Sequence, residues 1–170
     1  AAFLAMTKRE LSLDLVIPAS PERVWNALTA FQEYPEWLDG HTIDGAAEAL
    51  SVVKITTRIA GDAKPQRATC VIWKFEPNAR LEFFSGRAFL NTKMRFFELM
   101  PSGAGTRLRH GMRFAGILRR SKSTEREIEH ARPRLIAFAE ALSKRSRSAT
   151  AIKPGGKNRR ARRAARSKGH

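Results

Sequence analysis

Apolar residues along this chain recur first at extended-chain spacing, then at helical spacing, then at alternate positions, and finally at helical spacing before they run out. That order predicts a strand, a helical stretch, several antiparallel strands and a closing helix. The first strand covers residues 11–17, where Leu13, Val16 and Ile17 favour extended backbone; Pro18 ends it, having no amide to offer a ladder. Ser20-Pro21 starts a helix, because the hydroxyl can cap an early amide and proline at the first helical position sacrifices no bond. Val24, Ala27, Leu28 and Phe31 then share one face. Tyr34, Pro35, Trp37 and Leu38 add a second short, aromatic-rich turn, stopped by Asp39-Gly40.

Residues 41–50 show no clear period. Val53, Ile55, Thr57 and Ile59 alternate with Lys54, Thr56 and Arg58, the mark of a half-buried antiparallel strand. A turn over 61–65 leads to a strand over 67–75 that is apolar on both faces at Cys70, Val71, Ile72 and Trp73, so its inner face is ambiguous. Glu76-Pro77-Asn78 turns the chain again, and strands follow over 81–85 and 91–99. On the latter, parity groups Glu98 with Met94 and Phe96 and puts Arg95 opposite; Phe96 and Glu98 are taken as inward. The clearest strand is 106–114, with Leu108, His110, Met112 and Phe114 on one face and Arg107, Arg109 and Arg113 on the other, after a hairpin turn over 101–105. Thr124 and Glu127 form a capping box for a helix reaching about residue 144, with Ile128, Leu135, Phe138, Ala139 and Leu142 inward. Pro133 lies inside it and is expected to kink or split it.

Two stretches carry a resemblance. I-P-A-S-P-E-x-V-W-x-A-L-T-x-F-x-x-Y-P-E-W, over 17–37, resembles the opening of the START-like, polyketide-cyclase or SRPBCC (Bet v 1-like) superfamily, and F-E-L-M-P-S-G-A-G-T-R-L-R-H with F-A-G-I-L, over 97–118, is similar to its last hairpin. The resemblance covers about residues 11–142. It implies an α+β helix-grip fold: a curved antiparallel sheet wrapped around a long C-terminal helix, with two short helices after the first strand. It implies also a binder of a hydrophobic small molecule or lipid in an internal cavity, with a cyclase or dehydratase acting in that cavity as the alternative.

Length and charge then divide the chain. Its 170 residues, 42% apolar, suffice for one core and not comfortably for two. The net charge of +16 is uneven, since residues 144–170 hold eleven of the 32 Lys and Arg and no acid. The expected organisation is a flexible extension over 1–8, a ligand-binding domain over 9–144, and a disordered basic tail over 145–170 that lacks the apolar content to offset chain entropy. Arg159, Arg160, Arg162, Arg163, Arg166 and Lys168 are the tail residues able to meet a polyanion, whether nucleic acid or an anionic membrane; a solvated run with no dedicated partner is the plainer expectation. A single cysteine, no long apolar run and no leader-like start point to a cytoplasmic protein.

Candidate chemistry is sparse. His110 is the one imidazole on an expected inner face, able to orient a ligand or exchange a proton, or simply to sit satisfied in the core. Tyr34, Glu98 and Arg95 lie on elements that could supply a second group; Glu98, sharing a face with Met94 and Phe96, makes the best pair with His110, and as a strand-end residue can equally reach water. Trp37, Leu38, Phe84, Phe96, His110, Met112, Phe114, Leu135 and Phe138 are the expected cavity lining. Cys70 has no evident basic neighbour and reads as a buried inert thiol. The four histidines are far apart in sequence and no HExxH, CxxC, GxSxG or P-loop occurs, so neither a metal nor a cofactor is expected.

Overall fold

A computed structural model describes residues 3–7, 10–58 and 63–148 of the chain, and all structural statements concern these residues. Eight strands form one antiparallel sheet: β1 (Phe3–Thr7), β2 (Glu10–Ile17), β3 (His41–Asp44), β4 (Val52–Thr57), β5 (Gln66–Glu76), β6 (Arg80–Arg87), β7 (Asn91–Ser102) and β8 (Gly105–Ala115). Their order is β1-β2-β8-β7-β6-β5-β4-β3. Between β2 and β3 come α1 (Pro21–Thr29), a 3-10 turn (Phe31–Glu33) and α2 (Tyr34–Trp37); after β8 comes α3 (Lys122–Ser148). This is the helix-grip arrangement, with the helices gathered on one face of the sheet.

The alternation of apolar residues decides that face. Leu11, Leu13 and Leu15 lie opposite Met112, His110 and Leu108 across β2 and β8, and these in turn lie opposite Arg95, Phe97 and Leu99 on β7. Leu13, Phe97 and Leu108 are buried, as are Leu135, Phe138 and Leu142 on α3. Ser20 caps α1 by accepting from the Arg23 amide at 3.4 Å, with Pro21 following, and Val24, Trp25, Ala27 and Leu28 are the buried side.

Local chemistry departs from expectation at several points. Phe3–Thr7, read as part of a flexible extension, pairs antiparallel with β2, covering backbone groups that would otherwise form an open edge. His41–Asp44, which shows no period, is held as a strand by pairing with Lys54–Thr57. On β5 Cys70 and Ile72 face inward while Val71 and exposed Trp73 face outward, and a bulge between Ile72 and Lys74 then brings Phe75 to the inner face. The cap of α3 is not Thr124 but Ser121, whose hydroxyl accepts from the Thr124 amide at 3.2 Å; Glu127 pairs instead with Lys93 at 2.5 Å. Pro133 does not split α3, which runs on past residue 144 through Ser148. Residues 145–148 belong to the helix because Arg145 reaches Glu33 at 2.7 Å and Ser146 is fully buried. Ile59, Gly61, Asp62 and the arginines and lysine named at 159–168 lie outside the described residues.

Candidate ligand cavity

A cavity of about 660 Å³ lies between the inner face of the sheet and α3. Its sheet wall is Ile55 and Thr57 of β4, Ala68 and Cys70 of β5, Phe83 and Ser85 of β6, Arg95 of β7 and Met112 of β8. Ala131, Leu135 and Phe138 of α3 face them, and Leu38, Asp39 and His41 close one end. Exposed side chains form the rim, among them Arg58, Arg67, Arg126, His130 and Arg134.

Phe138 is the centre of an aromatic cluster. Its ring centroid lies 5.5 Å from Phe97, 5.7 Å from Trp37, 5.8 Å from His110 and 6.2 Å from Tyr34. The Tyr34 hydroxyl donates to the Leu28 carbonyl at 2.6 Å, and burial drives its pKa upward against the opposing Arg95 charge. Arg95 projects into this cluster, its guanidinium 4.5 Å from the Phe138 centroid and 5.1 Å from that of Phe97. No carboxylate pairs with Arg95 among the described residues, and its Nε is buried without a hydrogen-bond partner. Burial lowers its pKa, partly offset by Tyr34 and Cys70.

Two histidines respond to the same surroundings. His41 Nδ1 lies 3.1 Å from the Thr57 hydroxyl and its Nε2 has no partner; burial, then the Arg95 charge, lower its pKa to about 4. His110 is fully buried, stacked on Phe97 at 5.4 Å, with Nε2 donating to the Leu135 carbonyl at 3.1 Å. Burial and then Arg95 lower its pKa to about 3, against that hydrogen bond. Both rings are therefore neutral at physiological pH. The Cys70 thiol is buried and its pKa raised, first by burial, as an inert cysteine requires.

Four of the nine expected lining residues reach the cavity: Leu38, Met112, Leu135 and Phe138. Trp37 packs against Phe138, Phe114 is buried opposite Lys93 across β7 and β8, and His110 is sealed behind Phe97 and Phe138. Phe84 and Phe96 face the other side of the sheet. Phe84 meets exposed Trp73 at 6.3 Å, while Phe96 is buried beneath Arg113 and Arg109, whose guanidiniums are 4.1 and 5.5 Å from its centroid. Glu98 is on that outer face too, 3.3 Å from Arg109, so it is not an inward acid and shares no pocket with His110. The inward residues of β7 are Arg95, Phe97 and Leu99. Arg95 and His41, absent from the expected lining, line the cavity.

The family model for polyketide cyclase/dehydrase and lipid transport proteins matches residues 8–121. The chain belongs to this family. No curated protein matches it. Among solved structures, protein MLL2253 of Mesorhizobium loti is similar at 22% identity and a TM-score of 0.65, covering 84% of this chain and 100% of its own. Ara h 8.0201 gives 13% identity and a TM-score of 0.64 over 87% of this chain and 99% of its own. StfQ, a di-domain ARO/CYC of the steffimycin biosynthetic pathway, gives 11% and 0.62 over 81% of this chain and 48% of its own. At these identities the likeness concerns the fold, and it matches the helix-grip architecture. The family's hydrophobic ligand-binding fold is thus what the cavity under α3 represents here. No helix among the described residues is long and apolar enough to cross a membrane.

Proposed function

We propose that this domain binds a hydrophobic small molecule or lipid between its sheet and α3, carrying or sequestering it rather than transforming it. The cavity itself carries the reading: about 660 Å³ is within the range of roughly 300–1,000 Å³ usual for small-molecule sites. Ile55, Phe83, Met112, Leu135 and Phe138 offer apolar wall from both the sheet and the helix. Burial of ligand hydrocarbon supplies about 25 cal/mol per Å² before the costs of association. Binding is favoured over a cyclase or dehydratase because His110 and Glu98, the pair considered for acid–base work, lie on opposite faces of the sheet.

N-phenyl-1-naphthylamine, a neutral dye that brightens in apolar surroundings, tests this. The expected result is saturable fluorescence with the full chain that is lost on Leu135→Trp, which fills the cavity from the helix side. Fluorescence that does not saturate, or that survives Leu135→Trp in a folded protein, would sink the proposal.

A further inference from the structure

On β6, β7 and β8 the arginines that pair with carboxylates lie on the outer face. On the outer side Arg80 pairs with Glu82, Arg107 with Asp14, Arg109 with Glu10 and Glu98, and Arg113 with Glu10. On the inner side Arg95 has two aromatic faces and no carboxylate. A guanidinium stays protonated at any physiological pH, so Arg95, part-buried with its Nε enclosed, is a charge without a counter-charge. Cation–π contact with Phe97 and Phe138 offsets only part of that cost.

Other unpaired polar atoms converge on the same ring cluster. Trp37 Nε1 and His41 Nε2 are buried and without partners, and both rings pack against Phe138, as Arg95 does. A guanidinium is a donor only, so the group that completes Arg95 is an acceptor. Directly across from Arg95 on the neighbouring strands stand Phe83 and Met112, which are apolar. The charged residues lining the cavity are six Lys and Arg against Asp39 and Glu127, and Glu127 is already held by Lys93. The entrance therefore favours an anion, and Arg95, a lining cation with no carboxylate partner among the described residues, can hold it.

We propose that the ligand is an amphipathic monocarboxylate, its carboxylate on Arg95 with His41 beside it, and its hydrocarbon body along Met112, Leu135 and Ile55. This rests on the cavity being a small-molecule site, and names the chemical class it takes. The planar guanidinium matches a carboxylate with two parallel N–H···O bonds, which an alcohol or ester of the same length cannot reproduce. Aromatic and leucine walls around the pair exclude water and strengthen it.

The test uses the full chain with N-phenyl-1-naphthylamine bound, and displaces the dye with dodecanoate or with 1-dodecanol at about pH 8, where the free acid is ionised. Dodecanoate is expected to displace it at a concentration lower by about tenfold or more. In Arg95→Met the two should act within about twofold of each other. The preference of the unaltered chain should persist in 0.5 M salt, roughly, since contacts to exposed cations are screened there and an enclosed pair is not. Equal displacement by acid and alcohol overturns the proposal, as does an acid preference that survives Arg95→Met. Should that variant not fold, dodecanoate labelled with ¹³C at the carboxyl decides with the unaltered chain: bound carboxylate titrating below its free range supports Arg95 pairing, and titration at or above that range overturns it. Saturable dye binding without discrimination defeats the carboxylate alone; absence of both dye and dodecanoate binding defeats the cavity reading beneath it.

Discussion

The guanidinium carbon of Arg95, on the sheet, lies 4.5 Å from the ring centroid of Phe138, on the closing helix. The contact ties a charge with no carboxylate partner among the described residues to the residue around which the aromatic cluster is built, so the proposed anion site and the packing of α3 meet at a single point. Phe138→Ala removes that ring from Tyr34, Trp37, Phe97 and His110 together. It should cost about 3 kcal/mol in urea unfolding, toward the low end for a buried Phe because the ring already borders open volume. A loss under about 1 kcal/mol would show that α3 is held elsewhere.

Acid should weaken the fold through its histidines before its carboxylates. His41 and His110 titrate near 4 and 3 when folded, against 6.5 for the free side chain. As pH falls through 6.5 the unfolded chain takes up protons that the folded one refuses, so stability present above 6.5 is lost on acidification. The slope should approach about 1.4 kcal/mol per pH unit for each ring until the folded values are reached. Glu10 adds to this at lower pH. Burial pushes its pKa up, but the Arg113 hydrogen bond and the Arg109 and Arg113 charges more than offset that and hold it down, so its contribution vanishes as pH falls through the folded value. His110→Phe should flatten the curve between pH 6.5 and 4 by one proton's worth, whatever it does near neutrality. Denaturation curves at stepped pH check this; an unchanged slope would mean that His110 is protonated in the fold.

The outer face depends on Glu82, only 2% exposed, whose carboxylate accepts from Arg80 Nε at 2.7 Å with Arg113 at 3.8 Å. Arg80→Ala leaves that carboxylate with one distant partner and should cost about 2 kcal/mol, less than a fully buried pair would because Arg80 itself is part-exposed. Adding Glu82→Gln should recover much of the loss. A double variant no more stable than the single one would show that the carboxylate is not the burden.

Gly111 permits the close approach of β2 and β8. A Cβ there would sit 2.1 Å from the Leu11 carbonyl oxygen and 2.8 Å from Ser12 Cα, and both are backbone atoms that cannot swing aside. Gly111→Ala should destabilise by about 3 kcal/mol, as overpacking does, and should raise hydrogen exchange along β2. Exchange left unchanged on Glu10–Ile17 would contradict the tight pairing.

Much of the architecture follows from local chemistry alone. Ser20-Pro21 starts α1 because a capping hydroxyl and a preset proline dihedral act within a few residues, and the alternation of Leu108, His110 and Met112 shows a buried face because strand side chains change sides at every step. The motifs over 17–37 and 97–118 point to the family whose model spans residues 8–121. What the sequence could not decide is which side of β7 turns inward, and the cause is register. A turn centred on the middle of residues 101–105 sets Phe96 opposite His110 and makes Glu98 an inward acid. The two-residue turn Gly103-Ala104, with Gly103 at φ +58°, pairs Ser102 with Gly105 and sets Phe97 opposite His110 instead. That one-residue difference exchanges Glu98 for Arg95 in the cavity. The tertiary structure alone decided it, because Phe96 is apolar enough for either face and becomes an outward residue only under arginines held over it by Glu10 of β2, Glu82 of β6 and Glu98 of its own strand.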